Sequence, residues 1–220
     1  MYVLVNAAMS ADGKLSSRRR EQIEISGPTD FDRVDALRAE RDAVMVGIGT
    51  VLADDPHLTL DDADRTAARE ERGDPPHPAR VIADSRARTP TAARILDDDA
   101  TTYLLASEAA PAERIEALRG TGAEVLVAGE ERVSLPDALS ALESCGIERL
   151  MVEGGGELIF SLFEGGLVDE LSVFVGPLLI GGRDAPTLAD GEGFLEGFPD
   201  LSLESVERID DGVFLRWRVR

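Results

Sequence analysis

Lysine is nearly missing from this chain: among 23 Lys and Arg residues in 220, only Lys14 is a lysine. Cysteine occurs once, at Cys145, so no intramolecular disulfide can form. With no base beside it in sequence, that thiol is expected to be buried and inert. Histidine occurs twice, and neither His57 nor His77 has metal-ligand spacing to a neighbour, which predicts no metal site. No apolar run reaches the ~20 residues of a membrane span, and "MYVLVNAAMSADG" has no basic stretch ahead of its apolar residues. A soluble, cytoplasmic protein is the expectation. Also lacking is the H-x-E and P-C-x-x-C zinc pattern of a base deaminase.

Acid is what the chain has in excess. Its 43 Asp and Glu residues give a formal net charge of -20 and are dispersed along the sequence. Such a surface repels phosphate backbones and anionic bilayers, which excludes nucleic acid and membrane as expected partners. Dispersed carboxylates with arginine in place of lysine fit solubility in concentrated salt, where screening acts over about 3 Å at about 1 M. A salt-rich cytoplasm is the hypothesis, an ordinary acidic cytosolic protein its alternative. The length suits one larger domain or two small ones. No repeat or linker divides it, so residues 1–220 read as a single domain.

Short β-rich runs alternate with helical patterns. "YVLVNAAM" reads as a strand ended by the Asp12-Gly13 turn. "PTDFDRVDALRAERD" places Phe31, Val34 and Leu37 at helical spacing, with Thr29 or Asp30 to cap it. "AVMVG" reads as a strand buried on both faces and broken by Gly47 and Gly49 before a helical turn in "TVLADDP". Residues 61–80 are polar and end in prolines, which predicts a surface connection with at most a helical turn. Beyond it the alternation repeats, through "RVIAD", "TTYLLAS", "AEVLVAG", "RLMVEGGG" and "DELSVFVGPLLIGG" as strands with helices between. "LSLESVERID" and "GVFLRWRVR" read as an antiparallel hairpin around Asp211-Gly212. The pattern predicts an α/β domain with a mostly parallel central sheet, flanking helices and a C-terminal antiparallel hairpin.

Three strand-to-helix crossings carry candidate chemistry. In "LMVEGGGELIFSLF", Glu153 stands at a strand end before Gly154, Gly155 and Gly156, and the helix that follows exposes backbone N–H groups that suit a phosphate. The segment fits neither the dinucleotide fingerprint nor the P-loop, so a tight turn without ligand is the alternative. In "VGIGTVLADDPHLTL", Thr50 and Asp54 lie one turn apart on one face, able to hold a ribose or phosphate edge, or to act as a cap and a structural acid. In "VIADSRART", Ser85 and Arg86, with Arg88 close by, suit an adenosine 2′-phosphate, or else neutralise nearby carboxylates.

"AAMSADGKL", "LRAERDAVMVGIGTVLADDPHLT", "RVIADS", "VEGGGEL" and "GLVDELSVFVGPLLIGGRDAPT" together resemble, in order over nearly the whole chain, the riboflavin-pathway reductases. The likeness is to the stand-alone archaeal and fungal-type 2,5-diamino-6-ribosylamino-4(3H)-pyrimidinone 5′-phosphate reductases, which share a fold with dihydrofolate reductase. The resemblance implies NADPH-dependent reduction of a ribosyl to a ribityl group. By matching positions it implies cofactor contacts at Ala7, Thr50, Asp54, Ala83, Asp84, Ser85, Arg86, Gly154, Gly155, Gly156 and Glu157. It places Lys14, Arg38, Leu58 and Glu153 at the substrate, with Lys14 and Glu153 as catalytic candidates, and implies a homodimer paired through "LSVFVGPLLIGG". Two departures stand out. Asp61 occupies a position where many relatives have arginine, and Asp35 one where relatives tend to have histidine. Substrate phosphate must therefore lean on Lys14, Arg38 or the "SSRRR" loop. Alternatives are a reductase of the deaminated pyrimidine or of dihydrofolate on the same fold, and a non-catalytic nucleotide-binding protein.

Overall fold

The computed structural model describes every residue except Gln22. The chain forms two compact units, the first comprising Met1 and Asp35–Met151, the second Tyr2–Val34 and Val152–Arg220.

The first unit holds strands β2 (Ala43–Gly47), β3 (Ala79–Ala83), β4 (Thr102–Ala106) and β5 (Glu124–Val127), with helices α2 (Ile48–Asp54), α3 (Ala63–Glu71), α4 (Ala112–Arg119) and α5 (Leu135–Ser144). β2 pairs with β3, β3 with β4 and β4 with β5, all parallel. Parallel strands need crossovers, and the helices that supply them cover the sheet, so every residue of β2 and β4 is buried. Val46, Ile82, Leu104, Val51, Ile95 and Leu118 belong to one apolar cluster, each worth about 1.5–3 kcal/mol of burial.

The second unit holds β1 (Tyr2–Ser10), β7 (Glu170–Gly176), β8 (Leu201–Ile209), β9 (Gly212–Val219) and helix α6 (Gly156–Glu164). β1 runs parallel to β7 from Leu4↔Glu170 to Ser10↔Gly176, while β7–β9 and β8–β9 are antiparallel. The hairpin turn is Asp210-Asp211, with Asp210 left-handed (φ 52°), and Gly212 already belongs to β9. Helix α1 (Pro28–Ala39) and strand β6 (Arg149–Gly154) contribute residues to both units. The α/β class, the dominance of parallel pairing and the terminal antiparallel hairpin agree with the sequence reading.

Several expectations need correction. Residues 63–71 form a full helix: the Asp62 carboxylate accepts from Asp64 and Arg65 N–H, and Arg69 is buried, donating to the carbonyls of Pro75, Ala39 and Arg41. Polar composition hid a helix whose anchor is a guanidinium. Strand β7 stops at Gly176, ahead of Pro177, so "PLLIGG" is not strand. Gly49 lies inside α2 rather than breaking the chain, and Phe31 is exposed. Cys145 is exposed, because α5 ends at Ser144 and leaves it at the helix C-cap.

Candidate functional site

In the first unit, Thr50 is the third residue of α2 and Asp54 its last, so both lie on one face. Burial pushes the Asp54 carboxyl above the usual aspartate range. Immediately beyond, Asp55 (φ 41°) and Leu58 (φ 59°) adopt left-handed backbone, uncommon for non-glycine residues and unusual twice within four positions. Such strain persists only where the surroundings over-determine it. Here the Asp55 carboxylate accepts from Arg94 N–H at 2.9 Å, Arg38 donates to the Thr59 carbonyl at 3.2 Å, and Leu60 N–H donates to His77 Nδ1 at 3.2 Å. Arg38, on α1, thus donates to the strained loop that carries Leu58, and both are assigned to substrate by resemblance.

His57 lies on that loop too. Its Nε2 contacts Asp97 and, at 3.2 Å, Asp99, and its Nδ1 meets the Thr59 hydroxyl at 2.9 Å. His57 thus shares ligand-distance geometry with Asp97 and Asp99, a grouping that its sequence spacing does not show. Forty residues of intervening chain hide this from sequence spacing. The fully buried Arg80 already neutralises Asp97 at 2.8 Å, so these groups satisfy one another.

At the end of β3, Ala83 is half-buried and Asp84 fully buried. One Asp84 oxygen accepts from Thr89 N–H (2.7 Å) and hydroxyl (2.8 Å), and the other, without a hydrogen bond among the described residues, has the Arg88 guanidinium at 3.9 Å. The Ser85 hydroxyl accepts from Val133 N–H at 3.0 Å. Arg86 is exposed and pairs with the exposed Glu131 at 3.0 Å. At the two departures, buried Asp35 accepts from the backbone N–H of Asp61 (2.8 Å) and pairs with Arg65 (2.9 Å).

In the second unit, Ala7 is buried on β1, and Lys14 follows the turn that ends that strand. Ser10 N–H donates to the Lys14 carbonyl and Lys14 N–H to the Ser10 hydroxyl, both at 2.9 Å. Lys14 forms a β-bridge with Thr187, and its ammonium donates to the Ala185 carbonyl at 3.3 Å. Among the described residues no carboxylate pairs with it, although the chain is strongly acidic. Asp12 braces the turn: its carboxylate accepts from the Ser10 hydroxyl (2.6 Å), Ile180 N–H (3.0 Å) and Gly181 N–H (2.7 Å). The Ser10 hydroxyl and these amides hold it at about 2. The sequence reading saw only a turn at Asp12. A serine two residues ahead of the acid is the one local signal of its bracing role.

Half-buried Glu153 precedes the last residue of β6. Gly155 caps α6 with φ 96° and ψ 95°, a conformation for which glycine is the suited residue. Gly156 permits close approach: a Cβ there would lie 2.5 Å from the Thr187 carbonyl and 2.8 Å from the Asp190 carboxylate. Ile159 N–H is the first amide of α6 to bond within the helix, to the Gly155 carbonyl, so the amides of Gly156, Glu157 and Leu158 precede the intrahelical ladder. Those donors, with no side chain on the first, suit a nucleotide phosphate. Lys14 and Gly156 are thus linked through the 185–190 segment.

A family model described as the RibD C-terminal domain matches residues 1–215. The chain is 51% identical over 211 residues to the Archaeoglobus fulgidus protein named 2,5-diamino-6-ribosylamino-4(3H)-pyrimidinone 5′-phosphate reductase, covering 96% of this chain and 94% of that one. It is 51% identical over 203 residues to the Methanothermobacter thermautotrophicus protein of the same name, covering 92% and 90%. A crystal structure of a pyrimidine reductase-like protein from Corynebacterium diphtheriae shares the fold, with a TM-score of 0.87 at 19% identity over 100% of this chain and 92% of that one. With a matching family model over nearly its full length, relatives this similar and a shared fold, the chain belongs to the RibD C-terminal domain family.

Proposed function

We propose that this protein reduces the ribosyl group of 2,5-diamino-6-ribosylamino-4(3H)-pyrimidinone 5′-phosphate to the ribityl group, with NADPH, in riboflavin biosynthesis. The observation that carries the reading is the identity to the two archaeal reductases over nearly the whole of each chain. On this reading residues 1–220 act as a single reductase domain.

The substrate's N-glycoside opens to an imine whose C1′ is electrophilic, and when bound the nicotinamide supplies the hydride. The chain's own residues bind, orient and manage protons. The amides at the start of α6 hold phosphate, as do Thr50 and Asp54 along their shared face, while Ala7 flanks the nicotinamide. Ala83, Asp84, Ser85 and Arg86 line the adenosine end, where Arg86 exchanges Glu131 for the 2′-phosphate and so selects NADPH over NADH. Glu153 accepts hydrogen bonds from the pyrimidine amino groups. Lys14, with no carboxylate partner among the described residues, holds the opened sugar or its phosphate and can deliver a proton to the nitrogen or oxygen that gains charge. Leu58, on the strained loop, and Arg38, on α1, border the pyrimidine and phosphate.

Assay of NADPH oxidation with the diaminopyrimidine, its deaminated counterpart and dihydrofolate tests this directly. Turnover with the first alone is expected. Preference for either of the others would replace the reading, and no turnover with any would favour a nucleotide-binding protein.

The same reading includes a homodimer in a salt-rich cytoplasm. The β7 part of the segment expected to pair subunits is buried within its own unit at Leu171, Val173 and Phe174. Beyond β7 the same segment exposes Leu179, and Leu195, Phe198, Leu201, Leu203 and Val206 are exposed apolar residues on and before strand β8; these are the surface we assign to pairing. Sedimentation of wild type and Leu203→Asp checks this: a monomer in both removes the dimer.

A further inference from the structure

Among the described residues the Lys14 ammonium donates one hydrogen bond, to the neutral Ala185 carbonyl at 3.3 Å, so its position depends on the backbone at both ends of that bond. One end is the 10–14 turn, the other the 178–187 segment. Asp12 belongs to the turn and grips the segment. Through Oδ1 it takes the Ser10 hydroxyl and Ile180 N–H, through Oδ2 the Gly181 N–H. The Ser10 hydroxyl in turn accepts the Lys14 N–H at 2.9 Å. Ala11 N–H reaches the Leu178 carbonyl and Leu15 N–H the Pro186 carbonyl, both at 2.9 Å, so Lys14 is bracketed by contacts to the same segment. That segment continues to Asp190, whose carboxylate takes Thr187 N–H (3.1 Å) and whose own N–H donates to the Gly156 carbonyl (3.0 Å).

We propose that Asp12 is a positioning residue for Lys14: it locks the turn to the 178–187 segment and so fixes where the ammonium stands relative to the glycine crossing at Gly156. The proposal rests on the reading of Lys14 as the substrate-facing cation, and the two can fail separately. Asp12 is exposed and touches no reacting group in this role. Its carboxyl is lowered to about 2 by the Ser10 hydroxyl and the segment amides, so near neutral pH it contributes fixed geometry and no proton.

A carboxylate can take three donors at once, whereas the single acceptor oxygen of asparagine cannot. Asp12→Asn should therefore release one of the two segment amides while leaving the isosteric turn in place. Displacement of about 1 Å is enough to lose on the order of 100-fold in turnover. The expected result is a kcat lowered roughly 10- to 100-fold, with the KM for NADPH within about 3-fold of wild type. A residue that acts through Lys14 loses its effect once Lys14 is gone, so Asp12→Asn in a Lys14→Ala background should lower kcat no further. Equal losses in both backgrounds would overturn the proposal.

A direct readout exists because the chain has only one lysine. Protein grown on lysine labelled with carbon-13 at the ε carbon gives a single side-chain signal, that of Lys14. Asp12→Asn should move or broaden it, and an unchanged signal contradicts positioning whatever the kinetics show. Full activity of Lys14→Ala with a moved signal would instead remove the catalytic reading of Lys14 and leave the positioning intact. Should Asp12→Asn fail to fold, Ser10→Ala deletes the hydroxyl between Asp12 and the Lys14 amide and is expected to move the signal in the same way. If it does not, the bracing chain is refuted.

Discussion

In the first unit, carboxylates such as Asp55 and Asp84 accept loop N–H groups, but the buried anchors are guanidinium groups that donate to backbone carbonyls. Arg80 reaches the carbonyls of Asp97 and Ala100, Arg69 those of Pro75, Ala39 and Arg41, and Arg114 those of Ala87 and Thr89. Arg80 and Arg69 are buried. In the second unit, the loops around Lys14 are held the other way round, by carboxylates that accept backbone N–H groups. Asp12 takes those of Ile180 and Gly181, Asp190 that of Thr187. Asp12 is exposed. The two sets of hydrogen bonds thus sit in different dielectric surroundings. A buried donor that vanishes strands its acceptors, whereas exposed amides that lose a carboxylate turn to water. The first arrangement secures the fold, the second sets geometry at modest energetic cost.

Removing a buried guanidinium should therefore be the largest perturbation of stability. Arg80→Ala strands two carbonyls and removes the partner of exposed Asp97, and is expected to cost about 3 kcal/mol, roughly 6–12 °C in Tm for a chain of this size. Thermal denaturation reads it, and a shift under about 2 °C would mean that the buried clamp adds little. Asp12→Asn should lower Tm far less than Arg80→Ala while lowering turnover more than any other substitution outside the residues assigned to ligands. The reverse order of the two would erase the contrast between the units.

The two aspartates with opposite shifts sharpen the comparison through pH. Asp12 is lowered from 3.8 to about 2, so its stabilising contribution is present above 3.8 and disappears as pH falls toward 2. Asp54 is raised by burial without a compensating donor, so its ionised form costs stability at neutral pH and that cost fades as the carboxyl protonates. Urea denaturation at stepped pH should find Asp12→Asn less stable than wild type near neutrality and equal to it near pH 2. Asp54→Asn should be slightly more stable near neutrality, by under about 1 kcal/mol given its partial exposure, and converge in acid. The same Asp54→Asn protein is expected to bind NADPH more weakly. The smallest structural effect is expected from salt on these paired groups, set against a large one on the whole surface. With a net charge of -20, unfolding should shift to higher temperature from low to molar salt, and indifference to salt would remove the salt-rich habitat.

Much of this was legible before the structure. Alternation of short apolar runs with helical spacing marked β1, β2, β7 and α6, and the glycines after Glu153 marked the crossing where α6 begins. What escaped reading depends on partners distant in sequence. "ADRTAAREE" looks like solvent-exposed connection until Arg69 is seen buried against residues 39, 41 and 75. His57 meets Asp97 and Asp99 across forty residues. Asp12 read as punctuation, because its amide partners lie at 180 and 181. The candidate ligand residues were legible through resemblance, whereas the residues that hold them in place emerged only from hydrogen bonds.

The central claim is that this is a reductase whose lone lysine faces its substrate. The measurement that tests it most directly is steady-state NADPH oxidation with the diaminopyrimidine ribosyl phosphate by wild type, Lys14→Arg and Lys14→Ala. A planar guanidinium does not reproduce a compact ammonium, so Lys14→Arg should lose much of its turnover and Lys14→Ala at least ~100-fold, with NADPH affinity nearly unchanged. Wild-type turnover in both variants would contradict the account.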